Sequence, residues 1–180
     1  KLVLSCCHPK EIAGSGPFLL DLLDWILIHK GISNMSRKHR SICSEVLLHL
    51  MCKPFLEEIF PNSKNSSEMS MLQYLRENLQ KATAPIAQEL VLEAIACVGT
   101  AVKSQDSLLI ALVLLIGFLD SESWGLKSAA ARGLKNIADA FDTSLSGLIS
   151  KNPRTLEYIG RNLANKPKLA KEAADVLLNC

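Results

Sequence analysis

Residues 107–141 read SLLIALVLLIGFLDSESWGLKSAAARGLKNIADAF, and this stretch decides the fold class. Its first part is a run of Leu, Ile, Val and Ala, long enough for three helical turns. Asp120, Ser121 and Ser123 then make a short polar break. The part after the break places Ala129, Ala130, Gly133, Ile137 and Ala138 at spacings of three and four, so that small residues fall on one helical face and two helix backbones can approach closely. A helix that is apolar nearly all round, such as the first part, is expected to lie sandwiched between neighbours. The unit therefore reads as a helix hairpin that cannot bury both faces alone.

The same pattern extends outward in both directions. PFLLDLLDWILIHKG, from Pro17 to Gly31, has Pro in the first turn, Asp21 and Asp24 early, Lys30 late and Gly31 as a stop. A second helix is predicted from Ser36 to Lys53, with Ile42, Val46, Leu47 and Leu50 on one face and Pro54 as its interruption. PFLEEIF adds a short extra turn, and residues 61–68, PNSKNSSE, are the densest loop composition in the chain. Helices are predicted at 68–82, with Leu72, Leu75 and Leu79 in register, and at 86–103, opened by Pro85. Beyond Phe141 the chain divides into short helices, with Asp142-Thr143 and Asn152-Pro153 as starts. Alternating β-branched runs bounded by tight-turn pairs are missing, so the chain is expected to be all-α.

Composition bounds the function classes. The 180 residues are 48% hydrophobic but only 5% aromatic, so the core is aliphatic, and a domain of this length needs no staple. The formal net charge of +2 gives no field that would make nucleic acid or an anionic membrane the main partner. The longest apolar stretch, Leu108 to Leu119, is shorter than the roughly 18 to 20 residues of a bilayer span, and no membrane partner is expected. Of the six cysteines, Cys43, Cys52 and Cys97 sit in apolar helical patterns and read as reduced thiols. That implies a nuclear or cytoplasmic compartment. Lys1 and Cys180 look like cut ends, so residues 1–180 are expected to be one segment of a larger protein.

Catalytic and ligand-binding patterns are weak throughout. Cys6-Cys7-His8 is adjacent rather than spaced as zinc ligands are, and His29, His39 and His49 have no partner pair. Gly14-Ser15-Gly16 lacks a preceding strand and a following Lys-Ser or Lys-Thr, and reads as a flexible linker rather than a phosphate loop. Lys38-His39-Arg40-Ser41 has no catalytic base, and no Gly-x-Ser-x-Gly elbow occurs. No cofactor, metal or small-molecule substrate is expected, and the segment is read as non-enzymatic. Asn34-Met35-Ser36 and Asn65-Ser66-Ser67 are chance sequons in such a compartment. Ser104-Gln105, at a helix junction, fits a kinase that prefers Gln after Ser.

Two basic clusters remain: Arg37, Lys38 and Arg40, and a C-terminal excess of Lys151, Arg154, Arg161, Lys166, Lys168 and Lys171 over Glu157, Glu172 and Asp175. Neither is interleaved with aromatics, as a single-strand track would be. Solvated helix faces account for both clusters; if they bind anything, an acidic protein partner fits better than nucleic acid. The candidate interaction residues are Arg37, Lys38, Arg40, Arg154, Arg161 and Lys168.

LLIALVLLIGFLDSESWGLKSAAARGLKNIADAF resembles the HEAT and armadillo-like pattern of an apolar first helix, an Asp/Ser turn and a small-residue second helix with a basic position. Helix-pair starts near 18, 68, 107 and 143 are spaced by about 36 to 50 residues, against about 40 to 47 for such repeats. The expected fold is an α-solenoid of stacked antiparallel helix pairs, roughly four repeats. Within that superfamily the run from QELVLEAIACVGTAV to KLAKEAADVLLN resembles the helical region ahead of the catalytic part in ATR-type checkpoint kinases, the phosphatidylinositol-3-kinase-related kinases of DNA damage. Gly99 and Ala101, the Ala-rich helix, and the spacing of Ile159, Leu163, Pro167 and Leu169 carry the resemblance; the first 60 residues match less closely. It implies a nuclear serine/threonine kinase as the parent, sensing single-stranded DNA through an adaptor subunit, with this segment positioning other domains. None of the kinase motifs lies here, so no catalytic residue carries over. The alternative expectation is a protein-binding solenoid of a nuclear-transport receptor or chromatin adaptor.

Overall fold

The computed structural model describes residues 13–28, 37–61 (backbone alone over 37–40), 66–102, 104–150, 154, 157 and 161. Among these residues the chain is all-helical, with eight helices and no strand: α1 (Gly16–Ile28), α2 (Arg37–Leu50), α3 (Lys53–Ile59), α4 (Ser67–Lys81), α5 (Pro85–Ala101), α6 (Gln105–Ile116), α7 (Trp124–Ala140) and α8 (Leu145–Ser150). The predicted helices beyond Pro153 lie outside the described residues, apart from Arg154, Glu157 and Arg161, which are helical.

Each helix buries a stripe set by its aliphatic spacing. α1 buries Leu19, Leu23, Ile26 and Leu27, leaving Phe18 exposed on the other flank. In α2 the inward stripe is Cys43, Leu47 and Leu50, continued by Met51, while Val46 is half-buried. The sequence reading placed Ile42 on that face, and it is instead 47% exposed. Residues 43, 47 and 50 stand at i, i+4 and i+7, and Ile42 is rotated about 100° from that line.

Pro54 acts differently from the expected interruption of a helix reaching Lys53. α2 already ends at Leu50, where Met51 N–H bonds back to Leu47 and Leu48, and Cys52 is extended at φ −71°, ψ 143°. Proline has no N–H to continue α2, yet its fixed φ suits a first turn. It therefore opens α3, which buries Phe55, Leu56 and Ile59. Gly14-Ser15-Gly16 is likewise a packed turn rather than a linker. Gly14 has φ +80° and donates its N–H to Glu58 Oε2 at 2.9 Å, and a Cβ on Gly16 would collide with the Glu58 backbone carbonyl.

Ser66 caps α4 by accepting the Met69 N–H at 3.2 Å, which starts the helix one residue earlier than predicted. At the far end of α7, Asp142 adopts φ 49°. Thr143 N–H reaches Ala138 O and Asp142 N–H reaches Asp139 O, both at 3.1 Å, which is the Schellman closure. Asp142 thus ends α7 rather than starting α8. Ser144 starts α8, accepting the Gly147 N–H at 3.1 Å. Because Asp142 holds a left-handed conformation that glycine adopts freely, Asp142→Gly is expected to stabilise the chain by about 0.5 to 1 kcal/mol. Urea unfolding of the two forms checks it.

α5 is the centre of the core. It packs against α1, α2, α4, α6 and α7, and its contact with α7 is the most extensive in the molecule. Ala87, Leu90, Val91, Leu92, Ala94, Ile95, Ala96, Val98 and Gly99 are all buried, while the stripe of Ile86, Glu89, Glu93, Cys97 and Thr100 stays partly exposed. The sequence reading expected the Leu-rich α6 to lie sandwiched between neighbours. α6 instead buries Ser107, Ala111, Leu112 and Leu115, with Leu109, Ile110, Val113 and Leu114 half-covered. Small side chains decide between them: Ala and Gly let neighbours approach from several directions at once, whereas a ring of leucines holds them off.

Tyr74 ties α4 to α1 by donating its hydroxyl to Asp24 Oδ1 at 2.5 Å. Burial first, then the neighbouring Asp24 carboxylate, holds the phenol far above its usual 10.0. The folded chain therefore keeps its proton where the unfolded chain releases it. The stability conferred is complete below pH 10 and is lost progressively as the pH climbs above it. Tyr74→Phe is expected to cost about 1.5 kcal/mol at neutral pH through the lost bond to a charged acceptor. It should also flatten the alkaline limb, so urea midpoints of the two forms converge above pH 10.

Candidate protein-interaction groove

α5 lies between α2 and α7 and touches both of them. Their inward stripes are occupied by the core, which leaves the outward positions of all three facing solvent together. Ser44 and Leu48 come from α2, Glu93, Cys97 and Thr100 from α5, and Arg132, Lys135 and Asn136 from α7. Between them runs a groove of about 530 Å³. Ala96, Ala129 and Gly133 form its floor, and their small size is why the surface is recessed there. A Cβ on Gly133 would stand 2.9 Å from the Ala96 Cβ.

One carboxylate organises the polar side of the groove. Glu93 accepts the Ser44 hydroxyl at 2.9 Å and pairs with Arg132 Nη2 at 3.6 Å, linking all three helices. Arg132 remains 66% exposed and Lys135 and Asn136 are exposed, so the α7 rim offers cations and an amide to a partner. Thr100 turns its hydroxyl back onto Cys97 O at 2.7 Å, and the Cys97 thiol points to Leu48 O at 3.9 Å. Leu48 is itself exposed and adds an apolar contact at the α2 edge. The groove thus has an apolar floor, a hydrogen-bonding wall and a basic rim.

A second recess of about 500 Å³ is lined by Leu109, Ile110, Val113, Leu114 and Phe118 with Arg76 and Arg154 at its edges. Arg154 pairs with Asp106 at 3.5 Å, and both side chains are well exposed.

Of the sequence-predicted interaction residues, the side chains of Arg154 and Arg161 are described. Arg154 stands at that second recess, and Arg161 pairs with Glu157 one turn away on its own helix. Arg37, Lys38 and Arg40 occupy the first turn of α2, and their side chains lie outside the described part, as does the whole of Lys168. Ser104 is exposed at the N-cap of α6, accessible to modification. Cys52, read as a helix-interior hydrophobe, is exposed in the link between α2 and α3. Glu93, Arg132, Lys135 and Asn136 were missed because each is unremarkable alone. Subtracting the buried stripe from each of α2, α5 and α7 and aligning what remains would have found them.

Among the described residues no group of three or more His, Cys, Asp or Glu side chains could hold a metal ion, and no helix is long and apolar enough to cross a membrane. No family model, curated protein or solved structure matches this chain. Its class rests on its own architecture: an all-helical protein with a recessed face built from three neighbouring helices.

Proposed function

We propose that the chain is a non-catalytic helical-repeat scaffold whose hairpins stack as an α-solenoid of the HEAT type, binding protein partners along the face of its second helices. The observation that carries this reading is the order of packing. α2, α5 and α7 neighbour one another in sequence order, and so do α1, α4 and α6, with α3 wedged between α1 and α4. Successive hairpins that each cover the previous one's apolar flank give this pattern, and a closed bundle does not require it. The groove supplies recognition: its basic rim at Arg132 and Lys135 suits an acidic segment of a partner.

On the resemblance of residues 88–179 to ATR-type checkpoint kinases, the parent is a nuclear serine/threonine kinase of DNA-damage signalling. The partner is then an adaptor subunit of that kinase. The experiment is co-precipitation of the chain with a checkpoint-kinase adaptor, in the wild type and in Lys135→Glu. Binding that Lys135→Glu weakens, with the circular dichroism unchanged, supports the reading. An adaptor that fails to bind the wild type overturns the partner. Saturable binding of magnesium-ATP in calorimetry would overturn the non-catalytic assignment.

A further inference from the structure

Two thiols converge on one backbone atom at the end of the groove. Cys52 Sγ and Cys97 Sγ both point to the Leu48 carbonyl oxygen, at 3.8 and 3.9 Å, so the sulfurs stand no further apart than those two lengths laid end to end. Their surroundings differ in a useful way. Cys52 is exposed and belongs to the two-residue link between α2 and α3, where its N–H bonds to His49 O and its carbonyl accepts the N–H groups of Phe55 and Leu56. Cys97 is half-buried on α5. Its thiol is pushed up to about 11, by burial first and then by the nearness of Cys52. Cys43, by contrast, is buried in the core stripe of α2.

We propose that Cys52 and Cys97 form a redox-responsive pair, which a small disulfide such as oxidised glutathione converts into an intramolecular bridge from the exit of α2 to α5. The exposed Cys52 thiolate attacks one sulfur of glutathione disulfide, forming a mixed disulfide and expelling one glutathione thiolate. Cys97 then loses its proton to solvent and its sulfur attacks the Cys52 sulfur, expelling the second thiolate. Two protein thiols are oxidised, one glutathione disulfide is reduced to two thiols, and the two protons end on those thiols. Closing the sulfurs to about 2.05 Å requires both side chains to turn toward each other and the Cys52 link to shift. Cys97 lines the groove and Leu48 flanks it, so the bridge draws a thiol out of the groove wall. The pairing itself does not depend on the groove's being a docking site.

The test is to incubate the full chain with oxidised glutathione, block remaining thiols by alkylation, and map the peptides without reduction. The expected result is a peptide joining Cys52 to Cys97, with an intact mass lower by two hydrogens and reversal by dithiothreitol. Cys52→Ser should leave Cys97 fully alkylated, and Cys97→Ser should trap glutathione on Cys52. Repeating the map with Cys6, Cys7 and Cys180 replaced by Ser removes competing partners. Glutathione retained on Cys52 of the wild type, or Cys97 alkylated while Cys52 is oxidised, overturns the proposal. So does a bridge from either residue to any other cysteine. Should Cys97→Ser fail to fold, the wild-type map alone decides.

Discussion

Gly133→Leu is expected to lower stability by about 3 kcal/mol, seen in a chain of this size as a fall of about 6 to 12 °C in the melting temperature. Gly133 sits where α7 meets both α5 and α6. A Cβ there would lie 2.9 Å from the Ala96 Cβ and 3.2 and 3.3 Å from the two Leu115 methyls. Leucine methyls can rotate away, but a Cβ is fixed to its backbone. Relief therefore demands that α5 and α7 separate along the most extensive contact in the molecule. Gly133→Ala brings the same Cβ against Ala96 and should also destabilise, sparing only the part that the further carbons of leucine add. An unchanged melting temperature for the leucine variant would show that the two helices do not approach this closely.

Ile95→Ala carries the second large effect, a loss of about 3 to 4 kcal/mol. Ile95 is fully buried on α5, and the space it fills is bounded by helices that also pack on one another, so the cavity cannot easily collapse. Ile42→Ala is the matched control. The same chemical change at an exposed position should stay within about 0.5 kcal/mol. Chemical denaturation of the pair separates the two positions; near-equal losses would mean that α5 is not the hub.

The helices were legible in the sequence because their signals are local. Pro17, Pro85 and the Ser/Asp break at residues 120–123 lie close to the observed boundaries, and Leu72, Leu75 and Leu79 point inward as their spacing requires. The close approach through Gly133 was legible too, since only small residues at i, i+3 and i+4 make it available. Rotation and rank within the core were less so. Ile42 and Cys43 differ by one position and are similarly apolar, and only the surrounding helices decide which of them turns inward. The Leu-rich α6 reads as sandwiched on hydrophobicity, yet Leu109, Ile110, Val113 and Leu114 are only half-covered, and the neighbours gather about α5. Pro54 was ambiguous because one missing N–H both stops a helix and suits the start of the next. The groove was hidden altogether: its residues come from three helices some 40 positions apart, and none has a pattern of its own.

The position of α5 has a consequence for how the molecule breathes. A backbone amide exchanges its hydrogen with heavy water only when its helix opens, and opening α5 means releasing five neighbours together. Amides of α5 should therefore exchange last and at a common rate set by global unfolding. Those of α8, a six-residue helix resting on α7, should be deuterated early through small excursions that leave the rest intact.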